Sequence, residues 1–298
     1  MESTNRLWYW IENKDLNLDL VFLKQKNQTI LPQFWDFIDL MGISRSRVHI
    51  VNEITCFKKI YIPSVSNNLT NWCTDKFLTP FRYVAQNIEG KGIEKIYLSR
   101  TKFSAKTSCI GENIIEKIFK QNGYYIVYPE KLSLKEQISY IKDAKEIAGV
   151  IGTAMHMELF GRIGLKSIIL SRSDEPIGVQ DLIHKALNAN WYNISVNLNP
   201  FPINHGVGPI LLGLTENLAS YCRNFGLIFD DKKINYISNK NCHQFIKRYM
   251  ETYVQDTYNR ALSFRYPLEA RRIKYFQNAF IPLKRRIKQF FKSLKQKG

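Results

Sequence analysis

The pattern of hydrophobic and polar positions changes period repeatedly between residues 93 and 171. Short, nearly continuous apolar runs alternate there with longer segments that have helical spacing. The apolar runs predict four strands: KIYLSR (95–100), YYIVYP (124–129), EIAGVIG (146–152) and KSIILS (166–171). They predict an ordered core rather than loops in this part of the chain.

The segments between these runs predict helices. Residues 112–121 carry isoleucines and Phe119 on one face, and Gly123 follows as a stop. In SLKEQISYIKDA, Ser133 and Glu136 have the spacing of a capping box. Residues 155–163 predict a third, shorter helix. Strands that alternate with helices in this way form a parallel sheet with helices on its faces, so the predicted fold class is α/β.

In such sheets, ligands bind beyond the carboxyl ends of the strands, where the strand order reverses. The turns that follow the four predicted strands are therefore the places to look for a site. They cover residues 99–103, 129–133, 152–156 and 171–174.

The flanking regions predict less regular structure. Residues 1–88 contain three strand-like runs, LDLVFLK, SRVHIV and KKIYIPS, and a helix in LPQFWDFIDLMG. The stretch HKALNANWYNISVNLNPFPINHG is predicted to be rich in loops, and helical patterns follow near 214–225 and 242–262. We expect an N-terminal α/β domain (1–88), a second α/β domain (89–190), and a C-terminal region with a crossover loop, helices and a basic tail (191–298).

Charge changes this picture mainly at the C-terminus. The formal charge is +17, and residues 265–298 hold eleven lysines and arginines against one acid. Within 282–298 the apolar side chains fall on one helical face: Leu283, Ile287, Phe290, Phe291 and Leu294. A basic helix with such a face is typical of binding to an anionic membrane surface, and it favours lipid over nucleic acid as a partner. No apolar run is long enough to span a membrane.

Candidate chemistry lies at two of the predicted strand ends. Arg100 and Lys102 follow the first strand, while Gly152 and Thr153 lead into the segment that carries His156. An arginine beside free helix amides is suited to a phosphate or diphosphate. The alternative is an ordinary packing turn. No Asp-x-Asp pair follows a strand, so neither a metal nor another cofactor is expected.

One long stretch resembles a known family. The order IYLSR, GENIIEKIFKQNGYYIVYPEKLSLKEQISYIKDAKEIAGVIGTAMHMELF and KSIIL, from Ile93 to Leu170, is similar to the donor half of family 61 glycosyltransferases, including bacterial members of capsular polysaccharide synthesis. The resemblance implies a GT-B arrangement, in which two Rossmann-like parallel-sheet domains face across a cleft. The second domain would bind the nucleotide sugar.

The resemblance also implies site residues. Donor-binding residues would be Ser99, Arg100, Lys102, Glu112, Gln137, Gly152, Thr153 and His156. This chain departs from the family pattern at Gly111, where Asn is frequent, at Ile151, where His is frequent, and at Met157, where Asn is frequent. It also lacks a His-Trp-Leu segment near its start, which implies a shortened acceptor domain or a missing start of the gene.

An inverting transfer needs a base, and the sequence does not single one out. His205 in NPFPINHG is the candidate, because prolines and a glycine shape a loop where the chain would return to the cleft. His49, His184 and His243 are candidates by residue type alone.

These observations predict a metal-independent glycosyltransferase that uses a nucleotide-sugar donor and a surface-polysaccharide or lipid-linked acceptor. We expect it in the cytoplasm, on the inner face of the cell membrane, with no nucleic-acid partner. The alternative is a non-catalytic sugar- or nucleotide-binding scaffold in a polysaccharide assembly complex.

Overall fold

The computed structural model describes residues 2–25, 27, 29–69, 71–103, 109–172, 178–201 and 209–254. In these ranges the strands are β1 Leu20–Leu23, β2 Val48–Val51, β3 Asn67–Asn68, β4 Trp72–Cys73, β5 Lys95–Leu98, β6 Cys109–Ile110, β7 Tyr125–Val127, β8 Glu146–Val150, β9 Lys166–Ser171, β10 Asn190–Ser195 and β11 Ile210–Leu211. The α-helices are α1 Leu7–Glu12, α2 Pro32–Leu40, α3 Thr79–Gln86, α4 Glu112–Gln121, α5 Leu134–Ile141, α6 Val179–Leu187, α7 Glu216–Asn224 and α8 Asn239–Tyr249.

A five-stranded parallel sheet forms the centre of the molecule, in the order β7-β5-β8-β9-β10. In chain order β5 comes first, β7 pairs with it on one side, and β8, β9 and β10 follow on its other side. The strand order therefore reverses between β5 and β8, which pair directly through Leu98 and Gly149. The mixed α/β class and all four predicted strands of this region are confirmed. The reversal marks the crevice where such sheets bind ligands.

Alternate side chains of the inner strands β5, β8 and β9 enter two separate cores. Ile96 and Leu98 face the core that contains α1, α2, α3, α5 and α6. Tyr97, between them, faces the core formed with α4 and α7. This alternation is the period of two expected of a strand covered on both faces.

The N-terminal elements pack on one face of this sheet. Their side chains belong to the same hydrophobic cluster as Ile96 and Leu98, and their own sheet consists of β1 and β2, parallel, with Leu20 opposite Val48. The GT-B pairing of two Rossmann-like domains and the boundaries 1–88, 89–190 and 191–298 stay predictions.

Three local predictions need correction. The stretch predicted to be rich in loops supplies the fifth strand, β10. Only Ile194 of this strand is buried, so its sequence lacks the apolar pattern that predicts a strand. KKIYIPS forms no strand, and its Ile60 and Ile62 are exposed. The helix predicted at 155–163 is a 3-10 helix, Thr153–Phe160, that begins two residues earlier.

Candidate functional site

Three strand ends meet at the point where the strand order reverses. They place Arg100 after β5, Gly152 after β8 and Arg172 after β9. A Cβ atom added at Gly152 would lie 2.9 Å from Nη1 of Arg100, so the guanidinium group rests on the backbone of this turn. Gly152 has φ +155°, a conformation that essentially only glycine adopts. Both the backbone shape and the close approach of Arg100 therefore require glycine here.

The two arginines form a half-buried cationic pair. Both guanidinium groups contact the thiol of Cys109, and both Nε atoms are buried without a hydrogen-bond partner. Burial lowers the pKa of Arg172, and the positive charge of Arg100 lowers it further. Within the described ranges neither side chain has a salt bridge. Two like charges that have no salt bridge in the described ranges favour the binding of an anion between them.

The turn between the arginines adds backbone donors. Among the described residues, the amides of Gly152, Thr153 and Ala154 find no backbone acceptor, whereas Met155 N donates to Gly152 O at 2.9 Å and closes the first turn. Thr153 is exposed at the start of the 3-10 helix. Free amides at a helix start attract anions, so the turn and the two guanidinium groups provide the same kind of contact.

Glu112 lies beside this pair at the start of α4. Gly111 precedes it with φ +90°, and a Cβ there would come within 2.1 Å of Leu212 O, so this contact explains why glycine stands where the family often has Asn. The Glu112 side chain is 1% exposed, and its Oε1 accepts hydrogen bonds from Arg100 N at 2.8 Å and from the Tyr97 hydroxyl at 3.2 Å. Its Oε2 is buried without a partner.

This environment changes the acidity of Glu112. Burial raises the pKa of its carboxyl from 4.5 to about 7, against the opposing effect of the two hydrogen bonds and of the Arg100 charge. A carboxyl group with such a pKa exchanges a proton near neutral pH, which is the property of a general acid or base.

A cleft of about 890 Å³ opens next to Glu112. Among the described residues it is lined by the segments on either side of Gly111, by α4, by the loop before α8, and by α8 itself. Lys102 lies on its rim, exposed, with its Nζ 5.9 Å from the Tyr128 ring centroid. The cleft can hold a ligand of a few sugar residues.

The structure brings some of the predicted site residues together and separates others. Ser99 is fully buried beneath Arg100, and its hydroxyl donates to Glu116 Oε2 at 2.6 Å. Gln137, near the end of β7, donates its amide to Pro129 O and Leu132 O and so braces the turn after that strand. His156 is partly buried in the 3-10 helix, and burial lowers its pKa. His205 lies outside the described residues.

Sequence reasoning missed Arg172. The pattern that identifies it is repetition, because β5 and β9 both end in Leu-Ser-Arg, at 98–100 and 170–172. In parallel strands on either side of β8, this repeat places two arginines at one edge of the sheet.

A second polar cluster lies away from these strand ends. Glu158 accepts hydrogen bonds from Ser167 at 2.6 Å, from Gln180, and from His184 at 3.1 Å, and all four side chains are buried. The cluster has the residue types of a hydrolase triad. However, Ser167 is the second residue of β9, at the amino end of the sheet, so these residues join the 3-10 helix to α6 and β9.

Comparison with known proteins gives one match. A family model described as Glycosyltransferase 61 matches residues 14–168, which is just over half of the chain. No curated protein and no solved structure matches the sequence. In the described part of the chain, no helix has the length and apolarity to cross a bilayer, and no group of three His, Cys, Asp or Glu side chains could hold a metal ion.

Proposed function

The chain belongs to the glycosyltransferase 61 family, and we propose that it transfers a sugar from a nucleotide-sugar donor to a surface polysaccharide or a lipid-linked acceptor. The family membership establishes a glycosyltransferase. The donor class, the acceptor class and the mechanism are the parts proposed here.

One observation carries the donor assignment. Arg100 lies against the Gly152 turn and Arg172 lies beside Arg100, at the reversal of strand order, and neither arginine has a salt bridge in the described ranges. A diphosphate fits this set because guanidinium groups and backbone amides both bind its oxygens. As the bond to the sugar breaks, these fixed donors would stabilise the charge that develops on the leaving group, which is the task a metal performs in other transferases. We therefore propose a metal-independent reaction.

The proposed step is an inverting displacement. The acceptor hydroxyl oxygen forms a bond to the anomeric carbon, and the bond from that carbon to the diphosphate breaks on the opposite face. The bonding electron pair leaves with the nucleoside diphosphate, and the hydroxyl proton passes to Glu112. Glu112 is assigned as base because its Oε2 is unpartnered and because burial raises its pKa to about 7. His205, the candidate from the sequence, stays a prediction.

The remaining features of the proposal rest on the sequence. A GT-B arrangement and a role in capsular polysaccharide synthesis follow from the family resemblance. The basic amphipathic segment 282–298, outside the described residues, supports a position on the inner face of the cell membrane.

Nucleoside diphosphate binding tests the donor site. Separate Arg100→Ala and Arg172→Ala variants are titrated with a panel of nucleoside diphosphates by calorimetry, and Arg162→Ala is the control because Arg162 is exposed on a loop outside the site. A charge-assisted contact is worth roughly 1.5 to 3 kcal/mol, so each site variant is expected to bind about ten- to a hundredfold more weakly. Wild-type affinity in both folded site variants would disprove the assignment.

A further inference from the structure

The cleft beside α4 is more basic than the body of the protein. Its lining has five basic side chains (Lys102, Lys117, Lys233, Lys240 and Arg248) and two acidic ones, Glu112 and Asp230. Residues 1–264 as a whole hold 32 lysines and arginines and 25 acids, so the overall composition does not account for this ratio. Lys117 and Lys240 are exposed, and in the described ranges they have no salt bridge.

The two acids of the lining offset only part of this charge, because five basic side chains outnumber them. Asp230 Oδ1 accepts a hydrogen bond from Lys232 N at 3.1 Å and so belongs to its own turn. Glu112 is buried, and its pKa of about 7 leaves it partly protonated near neutral pH. The cleft therefore presents a positive field to a ligand.

The remaining lining suits a carbohydrate. Asn113, Asn241 and Gln244 offer amide groups that can both donate to and accept from hydroxyls. Tyr236 is 46% exposed and offers an aromatic surface. Glu112 also belongs to this lining, and its unpartnered Oε2 is buried, so a hydroxyl that enters at Glu112 would complete its hydrogen bonding.

We propose that this cleft is the acceptor site and that the acceptor is an anionic glycan, whose carboxylate or phosphodiester groups bind the lysines while one hydroxyl reaches Glu112. The proposal rests on the glycosyltransferase function proposed above. It deepens that function, because the acceptor class named there leaves the charge of the glycan open.

A nucleic acid would also bind basic residues, but the lining favours a glycan. Single-stranded nucleic acids bind through successive aromatic faces along a basic groove. Here the described lining has two aromatic side chains, Phe103 and Tyr236, instead of a succession of aromatic faces, and its amide side chains suit hydroxyl groups.

Binding of defined probes to the full chain tests the proposal without requiring transfer. The charged probes are tetragalacturonate, for carboxylates, and a short glycerol phosphate oligomer, for phosphodiesters. Maltotetraose is the neutral glycan and a ten-nucleotide deoxythymidine strand is the nucleic acid. Affinities are measured at low and high salt.

The cleft variant and its control carry the same number of charge reversals on the same two helices. The cleft variant combines Lys117→Glu with Lys240→Glu, one on α4 and one on α8. The control combines Lys120→Glu with Lys247→Glu, exposed positions on the same two helices that do not line the cleft. Their far-ultraviolet spectra and melting curves establish that both fold.

At least one charged glycan is expected to bind the wild type and the control equally well. The cleft variant should bind it about tenfold more weakly, with an effect that shrinks as salt rises. The proposal would be wrong if the wild type bound maltotetraose as tightly as the charged glycans, or if it bound neither charged glycan. Tighter binding of deoxythymidine than of both charged glycans would indicate a nucleic-acid groove instead.

Nucleoside diphosphate binding separates this proposal from the donor assignment. If the cleft variant loses nucleoside diphosphate affinity, the cleft belongs to the donor and the acceptor proposal is wrong. If Arg100→Ala and Arg172→Ala keep that affinity while the cleft variant loses glycan binding, the donor assignment alone fails.

Discussion

Replacing Glu112 with Gln tests whether ionisation of this buried carboxyl lowers the stability of the folded protein. The substitution keeps the size of the side chain and removes its ionisation. The amide oxygen can accept the hydrogen bonds that Oε1 now accepts from Arg100 N and from the Tyr97 hydroxyl. What changes is therefore the charge above neutral pH.

The raised pKa sets both the sign and the size of the effect. Because the folded-state pKa is raised, the carboxyl contributes stability that is fully present below pH 4.5 and is lost as the pH rises to about 7. Each pKa unit corresponds to 1.36 kcal/mol, so the loss across this window is roughly 3 kcal/mol. The variant lacks this loss. Relative to the wild type, its free energy of unfolding should therefore rise by that amount between pH 4.5 and pH 8.

Urea denaturation at a series of pH values measures the effect, and a transfer assay accompanies it. Glu130→Gln is the control, because it removes an exposed carboxylate from the turn after β7. Glu112→Gln is expected to gain stability at alkaline pH and to lose transfer activity at every pH. If the free energy of unfolding of Glu112→Gln changed with pH in the same way as that of the wild type, the raised pKa of Glu112 would be refuted. Full activity in the variant would refute the assignment of the base.

Three further changes have distinct expected outcomes. Gly152→Ala should lower the free energy of unfolding by about 1 to 3 kcal/mol and weaken nucleoside diphosphate binding. The control Gly164→Ala, at φ +71° with no atom within 4 Å, should lower stability alone. Equal nucleoside diphosphate binding by both variants would contradict the role of the Gly152 turn. Ser167→Ala should lower the free energy of unfolding by about 1 to 3 kcal/mol and leave kcat unchanged, because a buried hydrogen bond is lost; a large fall in kcat would make the Glu158 cluster catalytic. Deleting residues 282–298 should abolish sedimentation with anionic liposomes but spare transfer to a soluble acceptor, because each Lys or Arg near such a surface contributes about 1 kcal/mol; continued sedimentation at low salt would disprove the anchor.

The inner strands of the central sheet were predictable from the sequence because they are buried on both faces. Runs such as EIAGV and KSIIL are almost entirely apolar, which distinguishes them from the helices between them. β10 lies at the edge of the sheet, and Asn or Ser occupies half of its positions, so it lacks that pattern. In KKIYIPS the alternation is present, but Ile60 and Ile62 remain exposed, so strand-like spacing alone did not produce a strand.

The site was only partly predictable, since it depends on how strands are ordered in the sheet. Arg100 and Gly152 follow from strand-end reasoning. The Leu-Ser-Arg repeat points to Arg172, but placing it beside Arg100 required the knowledge that β5 and β9 flank β8, which no local pattern provides. Glu112 was implied by family resemblance, but its burial and its unpartnered oxygen follow from the packing of α4 against Tyr97 and the β5 turn.

Two buried polar clusters in this molecule contrast in a way that bears on function. Around Glu158, both carboxylate oxygens have hydrogen-bond partners, although Gln180 Oε1 and His184 Nδ1 are buried without one. At the ends of β5, β8 and β9, by contrast, two arginines lie close together, Glu112 keeps an unpartnered oxygen, and Gly152 adopts a strained conformation. Such local costs persist where a ligand offsets them. A nucleoside diphosphate at a hundred times its Kd would stabilise the protein by about 2.7 kcal/mol, and the Arg100 and Arg172 variants, which bind about ten- to a hundredfold more weakly, should lose half or more of that gain at the same ligand concentration.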